Sequence, residues 1–228
     1  PNNSANPNLT GHHYCMDGTA SDHPALRDIQ IVNDILILKK RHKLIRRMQR
    51  KLDEPEIHGY QVWGSSYLIM DYLKQHPPGK NAKVTEIGSG WGILGIFCAH
   101  HFGAKVTAVD ADSHVFPYLE AHALLNDVKI KGQVAKYQDL TKKDFRGQSL
   151  VLGGDICFWD NLVDPLYQAV KTAVNAGVKQ IIIADPGRSP FHKLAKRCCK
   201  QFNAEHLDWS VSEPKTIHGE LLIVRGGK

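Results

Sequence analysis

The sequence predicts an α/β fold: a Rossmann-like, seven-stranded, mostly parallel sheet with helices on both faces, preceded by an N-terminal extension carrying a basic helix. Three observations lead there. After Pro55, strand-like runs alternate with segments of helical periodicity to the end of the chain. Leu150 to Cys157 and Val178 to Ala184 are rich enough in apolar residues to be strands buried on both faces. The 228 residues are 42% hydrophobic and 23% charged, the composition of a well-cored domain rather than a disordered chain.

Residues 1 to 25 are rich in Asn, His, Pro, Gly and Ser and read as an arm that buries no core of its own. Ile29 to Val32 and Ile35 to Leu38 flank Asn33-Asp34, a two-residue hairpin turn, although a continuous helix fits this stretch almost as well. From Lys39 to Leu52 the apolar positions Leu44, Ile45, Met48 and Leu52 share one helical face among cations, until Asp53-Glu54-Pro55 ends the helix. Residues 1–54 form this extension and 55–228 the main domain.

Within the main domain, Ser65 or Ser66 caps a helix carrying Leu68, Ile69, Tyr72 and Leu73, closed by His76-Pro77-Pro78-Gly79. Strand Lys83 to Ile87 precedes a helix from about Gly92 to His101. Strand Lys105 to Asp110 leads to a helix over Val115 to Asn126, and a short strand is expected at Val134 to Tyr137. The buried strands Leu150 to Cys157 and Val178 to Ala184 bracket a helix at Leu162 to Ala176. Helix Phe191 to Lys200 and strands near His206 to Val211 and Leu221 to Arg225 finish the chain.

The net charge is +6, and it is local. Eight of the 29 Lys/Arg residues lie between Lys39 and Lys51 with no acid among them, leaving 21 for the rest of the chain against all 23 acids. An anionic partner would therefore have to touch this one segment. The five cysteines, Cys15, Cys98, Cys157, Cys198 and Cys199, show no C-x-x-C pair, which reads as reduced thiols. No leader of the secretory type precedes the fold and the first residue is Pro1, so the start reads as trimmed or processed, while the reduced thiols give the expected location as cytoplasmic. No run of 18 apolar residues could span a bilayer.

The stretch Val84 to Gly92 is the most informative: an apolar strand runs into Gly88, Gly90 and Gly92 and then a helix, with Ser89 between the first two. Glycine there allows a tight turn and a close backbone approach to a ligand. Eighteen residues after Gly92 the next strand ends in Asp110, placed to accept the two hydroxyls of a ribose. Gly90-Trp91-Gly92-Ile93-Leu94-Gly95 also satisfies the dinucleotide pattern. Glu86 favours a different cofactor, because an acid just before the glycine turn suits a cation and repels a pyrophosphate. S-adenosylmethionine, with a ribose, a sulfonium and an ammonium but no phosphate, meets both requirements.

Glu86-x-Gly88-x-Gly90-x-Gly92 with Asp110 resembles the first motif and ribose acid of class I, seven-strand S-adenosylmethionine-dependent methyltransferases. Gly59 to Ser66, with Trp63, resembles the Trp-containing segment of the family-16 group, which includes many protein lysine methyltransferases. Asp155-Ile156-Cys157-Phe158 is similar to that group's D-x-x-Y/F signature. Asp185-Pro186-Gly187-Arg188 is similar to the electron-transfer-flavoprotein β-subunit lysine methyltransferases and the nicotinamide-N-methylase-like proteins beside them. The resemblance covers about residues 57 to 228. It implies that Trp63 lines the methionine end of the cofactor and that Gly88, Ser89 and Gly90 pass under it. Asp110 would hold the ribose, Asp139 and Leu140 would border the adenine, and Gly154 and Asp155 would close the methyl side. Leu140 departs from the Trp that the family often carries there.

The expected activity is in-line methyl transfer to nitrogen, most simply a protein lysine, with no metal required. Asp155 is cast as an acceptor that orients the incoming amine, while Phe158 and Trp159 wall the target channel or simply cap the sheet. The alternatives are a small nicotinamide-like amine and an RNA methyltransferase or RNA-binding protein using the basic helix. An acidic protein substrate could dock on Lys39 to Lys51, which could equally be a solvated face packed on the sheet; nucleic acid is the weaker partner, since no N-P-P-Y type motif is present. Cys157 reads as a buried strand thiol, Cys198-Cys199 as one packed and one exposed thiol, and His218 as a pocket or turn histidine. His12, His13 and Cys15 read as part of a tail rather than a metal site.

Overall fold

Asn33 and Asp34 both take positive φ, 46° and 58°, the conformation of a two-residue hairpin turn. They join β1 (Ile29–Val32) to β2 (Ile35–Leu38), so this stretch is the hairpin and not the helix. The computed structural model describes residues 27–53, 55, 59 and 61–227, and the His12, His13, Cys15 cluster lies outside them. Val32, Ile35, Ile37 and Leu38 are buried in the same core cluster as the helices that follow. α1 (Lys43–Lys51) starts four residues later than the sequence suggests. Lys39–His42 forms a turn instead, and the His42 ring Nδ1 accepts from the Leu44 amide. Of its apolar stripe, Ile45 is fully buried and Met48 packs on the core, whereas Leu44 and Leu52 are about two-fifths exposed at 41% and 39%.

The main sheet is built from β3 (Lys83–Ile87), β4 (Lys105–Asp110), β5 (Ile130–Val134), β6 (Leu150–Gly154), β7 (Gln180–Asp185), β8 (Asn203–Val211) and β9 (Ile217–Arg225). Their spatial order is β5-β4-β3-β6-β7-β9-β8, parallel from β5 to β7 and antiparallel where β9 joins β7 and β8. This is the seven-stranded, mostly parallel sheet expected. On one face, α2 (Ser65–Gln75), α3 (Ile93–Phe102) and α4 (Phe116–Leu125) pack with Val84, Val106, Leu152, Ile182 and Ile223. On the other, α6 (Val163–Asn175) and α7 (Ser189–Gln201) cover Ile87, Val109, Val151, Ile181, Ile183 and Leu222. Alternate residues of β7 and β9 thus enter opposite cores, which is why these strands are apolar throughout rather than every second residue.

The chain runs from β3 outward to β4 and β5, then returns to place β6 on the other side of β3. Such a reversal leaves a crevice beyond the carboxyl ends of β3 and β6, where neighbouring loops diverge. Two strand expectations shift there. The strand predicted at Val134 to Tyr137 lies earlier, as β5, in register with Val106–Asp110 of β4; it is an edge strand, and its polar, half-exposed residues hide it in the sequence. Tyr137 instead lies in a single helical turn after it, and a four-residue helix, α5 (Lys142–Phe145), follows. The strand predicted to reach Cys157 ends at Gly154, because Asp155 turns with φ 59° after a last bond from its amide to the Ala184 carbonyl.

Candidate active site

The carboxyl ends of β3, β4 and β6 open onto a cleft of about 220 Å³. At its floor Gly88, Gly90 and Gly92 all have positive φ, 63°, 51° and 69°. A Cβ on Gly88 would stand 2.6 Å from Ile156 and 2.7 Å from the Tyr137 hydroxyl, whereas one on Gly90 would meet nothing within 4 Å. The first glycine therefore seats its neighbours, and the second bares backbone to the cleft. The Gly90 amide donates to Asp110 Oδ2 at 2.9 Å and the Asp112 amide to Oδ1 at 3.0 Å. Each oxygen retains a lone pair for a further donor. Burial holds the Asp110 carboxyl above its ordinary range.

Glu86 is 4% exposed and reaches the cleft from β3. Its Oε2 accepts from the Gly95 amide at 2.9 Å, and a Cβ on Gly95 would stand 2.7 Å from that oxygen. Desolvation raises its pKa to about 8; the Gly95 bond pulls it down and the Asp110 charge adds to the rise. Ser89 Oγ is buried and has no hydrogen-bond partner among the described residues. Among the described residues, the acids and bases lining the cleft are Glu86, Asp110, Asp155 and Lys136, three carboxyls to one amine.

Trp91 ties the approach segment to the glycine turn. Its indole Nε1 donates to the Gly59 carbonyl at 2.9 Å, while its ring stacks on Tyr118 and His122 at 5.3 and 5.2 Å. Gly59, Gln61, Val62 and Trp63 consequently run along the cleft. On the β6 side stand Gly154, Asp155, Phe158 and Trp159. Trp159 is 51% exposed at the rim and meets Phe158 edge to face at 4.7 Å.

Asp155 is held at both oxygens: Oδ2 accepts from the Ser65 amide at the start of α2 at 3.1 Å, and Oδ1 from Arg188 Nη2 at 2.8 Å. Arg188 also binds the fully buried Asp185 through Nε and Nη2, the latter at 2.6 Å. This Asp155–Arg188–Asp185 arrangement is not legible at the sequence stretch Asp185 to Arg188, although an acid and an arginine three residues apart after a strand was its available signal. Arg188 Cζ lies 5.9 Å from the Phe158 ring centre.

The structure thus brings Trp63, Glu86, Gly88, Ser89, Gly90, Asp110, Gly154, Asp155, Phe158 and Trp159 around one cleft. Asp139 and Leu140 stand outside its lining. Asp139 ends the exposed turn and Leu140 is buried in the α6–α7 core, while Lys136, Tyr137 and Gln138 face the cleft.

Residues 43–214 match the lysine methyltransferase family. The chain belongs to that family. Its fold is that of the class I S-adenosylmethionine-dependent methyltransferases, the enzyme class expected from the glycine turn and Asp110. The electron transfer flavoprotein beta subunit lysine methyltransferase of Danio rerio is 27% identical over 138 residues, 60% of this chain and 53% of that protein. The chain therefore spans about half the length of the curated relative it matches. The METTL16 methyltransferase domain superposes with a TM-score of 0.60 at 12% identity, covering 92% of this chain and 91% of that one. The tRNA (uracil-54, C5)-methyltransferase of Pyrococcus abyssi, solved with S-adenosyl-L-homocysteine, gives 0.52 at 16% identity over 86% of this chain and 43% of its own. At such identities the likeness is one of fold.

In this chain Cys157 is fully buried, and burial pushes its thiol up to about 12, with the Asp185 charge adding to the rise. It is a packing residue rather than a nucleophile. Cys198 is buried and Cys199 exposed, as their vicinal placement on a helix suggested. His218 lies inside β9, opposite Ser210 and exposed, rather than in a turn before it. No helix among the described residues is long and apolar enough to cross a membrane.

Proposed function

We propose that the protein is an S-adenosylmethionine-dependent N-methyltransferase acting on a protein lysine side chain. The observation that carries the cofactor reading is the pairing of a buried Glu86 with Asp110 across a glycine turn that offers backbone, a partnerless buried hydroxyl at Ser89 and an acidic lining. A cationic nucleoside would favour the ionised form of Glu86, whereas a diphosphate would press it toward the protonated form and meet Lys136 as the cation among the described lining residues. Asp110 would bind the ribose hydroxyls, Glu86 the cationic end, Trp63 the methionine chain, and Tyr137 with Lys136 and Gln138 the adenine side. Asp139 and Leu140 would support that turn from behind. When bound, S-adenosylmethionine supplies an electrophilic methyl group.

What remains for the protein is alignment and exclusion of water. A lysine amine has an ordinary pKa of about 10.4, so presenting it neutral near pH 7 costs roughly 4 to 5 kcal/mol. An isolated carboxylate beside it would increase that cost. Arg188 offsets the Asp155 charge, so Asp155 can orient the amine through its remaining lone pairs while holding it less firmly in the protonated form. Phe158 and Trp159 would form the walls through which the side chain enters. The family and the Danio rerio relative support lysine as the target.

Two substitutions separate the roles. Asp110→Ala is expected to abolish cofactor binding in calorimetry, and unchanged affinity would remove the ribose assignment. Asp155→Ala is expected to retain cofactor affinity and lose turnover; full activity would remove its orienting role. Incubation with labelled cofactor and either lysate protein or lysate filtrate tests the substrate class: label on macromolecules supports a protein, label in the filtrate a small amine.

A further inference from the structure

Away from the cleft, three side chains from three elements converge on one point. His192 comes from α7, His206 from β8 and Glu220 from β9, and their ligand atoms all lie within 4.8 Å of one another. Both imidazoles turn the same nitrogen toward one carboxylate: His192 Nε2 is 2.8 Å and His206 Nε2 2.7 Å from Glu220 Oε2, with His192 Nε2 3.0 Å from Oε1. We propose that His192, His206 and Glu220 form a divalent transition-metal site of the zinc class, with the remaining coordination positions taken by water.

The ladder builds two of the three ligands into place. His206 stands opposite Leu222, so Glu220, two residues away on β9, is its diagonal neighbour on the same face. That face is the one covered by α7, whose first turn drops His192 onto the pair. Phe191 packs edge to face on the His206 ring at 5.5 Å and limits its rotation. Gly187 leaves room for the carboxylate, since a Cβ there would stand 3.1 Å from Glu220 Oε1. Asp208 is directly opposite Glu220 in the same ladder and adds negative potential on that face.

The ligand set selects the metal. Two imidazoles and one carboxylate suit zinc and its neighbours in the first transition row, whereas magnesium and calcium take oxygen sets. Tetrahedral zinc with bonds of about 2.0 to 2.1 Å needs ligand atoms about 3.3 Å apart. The His–Glu gaps of 2.7 to 3.0 Å must therefore open by a few tenths of an ångström, and the two imidazole nitrogens, within 4.8 Å of each other, must settle to the same spacing, within reach of side chains that are a fifth to a half exposed. Bound there, the ion would pin α7 to the β8–β9 edge immediately beside the Asp185–Arg188 segment.

The test uses the full chain, stripped with a chelator and titrated with zinc against a chromophoric chelator at pH about 7.5. The expectation is one site of micromolar affinity or tighter. His206→Ala and Glu220→Gln should each weaken it by at least about tenfold, and Cys199→Ser should leave it unchanged. Cobalt in the same site should show visible d–d bands without a thiolate charge-transfer band. Millimolar affinity in the wild-type chain overturns the proposal whatever the variants do, and so does tight binding that survives both substitutions or carries the thiolate band.

Discussion

Glu86 shows how much one residue can be asked to do. A carboxyl with an ordinary pKa of 4.5 that is raised to about 8 on folding takes up a proton in the native state. Its contribution to stability is complete below about pH 4.5 and is lost as pH rises toward about 8, roughly 3 to 5 kcal/mol over that window. A cationic ligand reverses the balance by favouring the ionised form, so its binding should release a proton and tighten as pH climbs toward 8. Glu86→Gln is expected to flatten the stability profile between pH 5 and 8 and to lower cofactor affinity at pH 8 more than at pH 6. Denaturant melts and calorimetry across that range check both halves; an unaltered pH profile would remove Glu86 from the cofactor site. The residue was visible in the sequence by its position before Gly88. Its burial was not, because the first turn of α3, with Gly95, closes over it only in the folded chain.

Between elements, the hairpin is joined to the main domain by hydrogen bonds the strand pattern does not announce. β2 has one edge paired to β1, and its other edge meets side chains of α4 and the residue after it. Leu36 donates to Asn126 Oδ1 at 2.7 Å and accepts from Nδ2 at 2.9 Å, while the Leu38 amide donates to His122 Nε2 at 3.1 Å. His122 Nδ1 in turn donates to the Tyr118 carbonyl, and because Nε2 accepts, the ring is neutral; burial lowers its pKa. The same ring stacks on Trp91, so hairpin, α4 and glycine turn share one contact point. Asn126→Ala leaves the Leu36 amide and carbonyl without their partner and should cost about 1 to 3 kcal/mol. A loss below the error of a denaturant melt would show the tether to be dispensable. Hairpin and α1 were recognisable from Asn33-Asp34 and from the cationic periodicity. That Leu44 and Leu52 stay exposed was not, since only the docked position of α1 shows which half of its apolar stripe meets the core.

For the whole molecule, charge is partitioned between an acidic cleft and a basic helix. Arg46, Arg47 and Arg50 are exposed on α1, and Asp53 just beyond it comes within 3.9 Å of His114, which follows the Asp110 turn. The basic surface therefore ends close to the mouth of the site. A protein substrate with an acidic face would be drawn to it, the proposed docking role. Changing all three arginines to Gln should alter stability by no more than about 0.5 kcal/mol. Methylation of an acidic protein should show a higher KM with weaker salt dependence and an unchanged kcat. A KM insensitive to these changes would leave α1 as a solvated, core-packed helix.

Fold class and most of the residues that meet at the cleft were readable in the primary sequence because they depend on local signals: an apolar strand, glycines where φ must be positive, and an acid at the end of the next strand. Long-range pairing was not. Arg188 finds Asp155 only because β6 and β7 are adjacent parallel strands ending side by side. Tyr137 reaches Gly88 only because β5 stops at Val134, in register with Asp110. His192, His206 and Glu220 meet only through the packing of α7 on the antiparallel β8–β9 edge. Such contacts cost the chain its conformational freedom and are repaid by burial across the fold, so no window of neighbouring residues carries their signature.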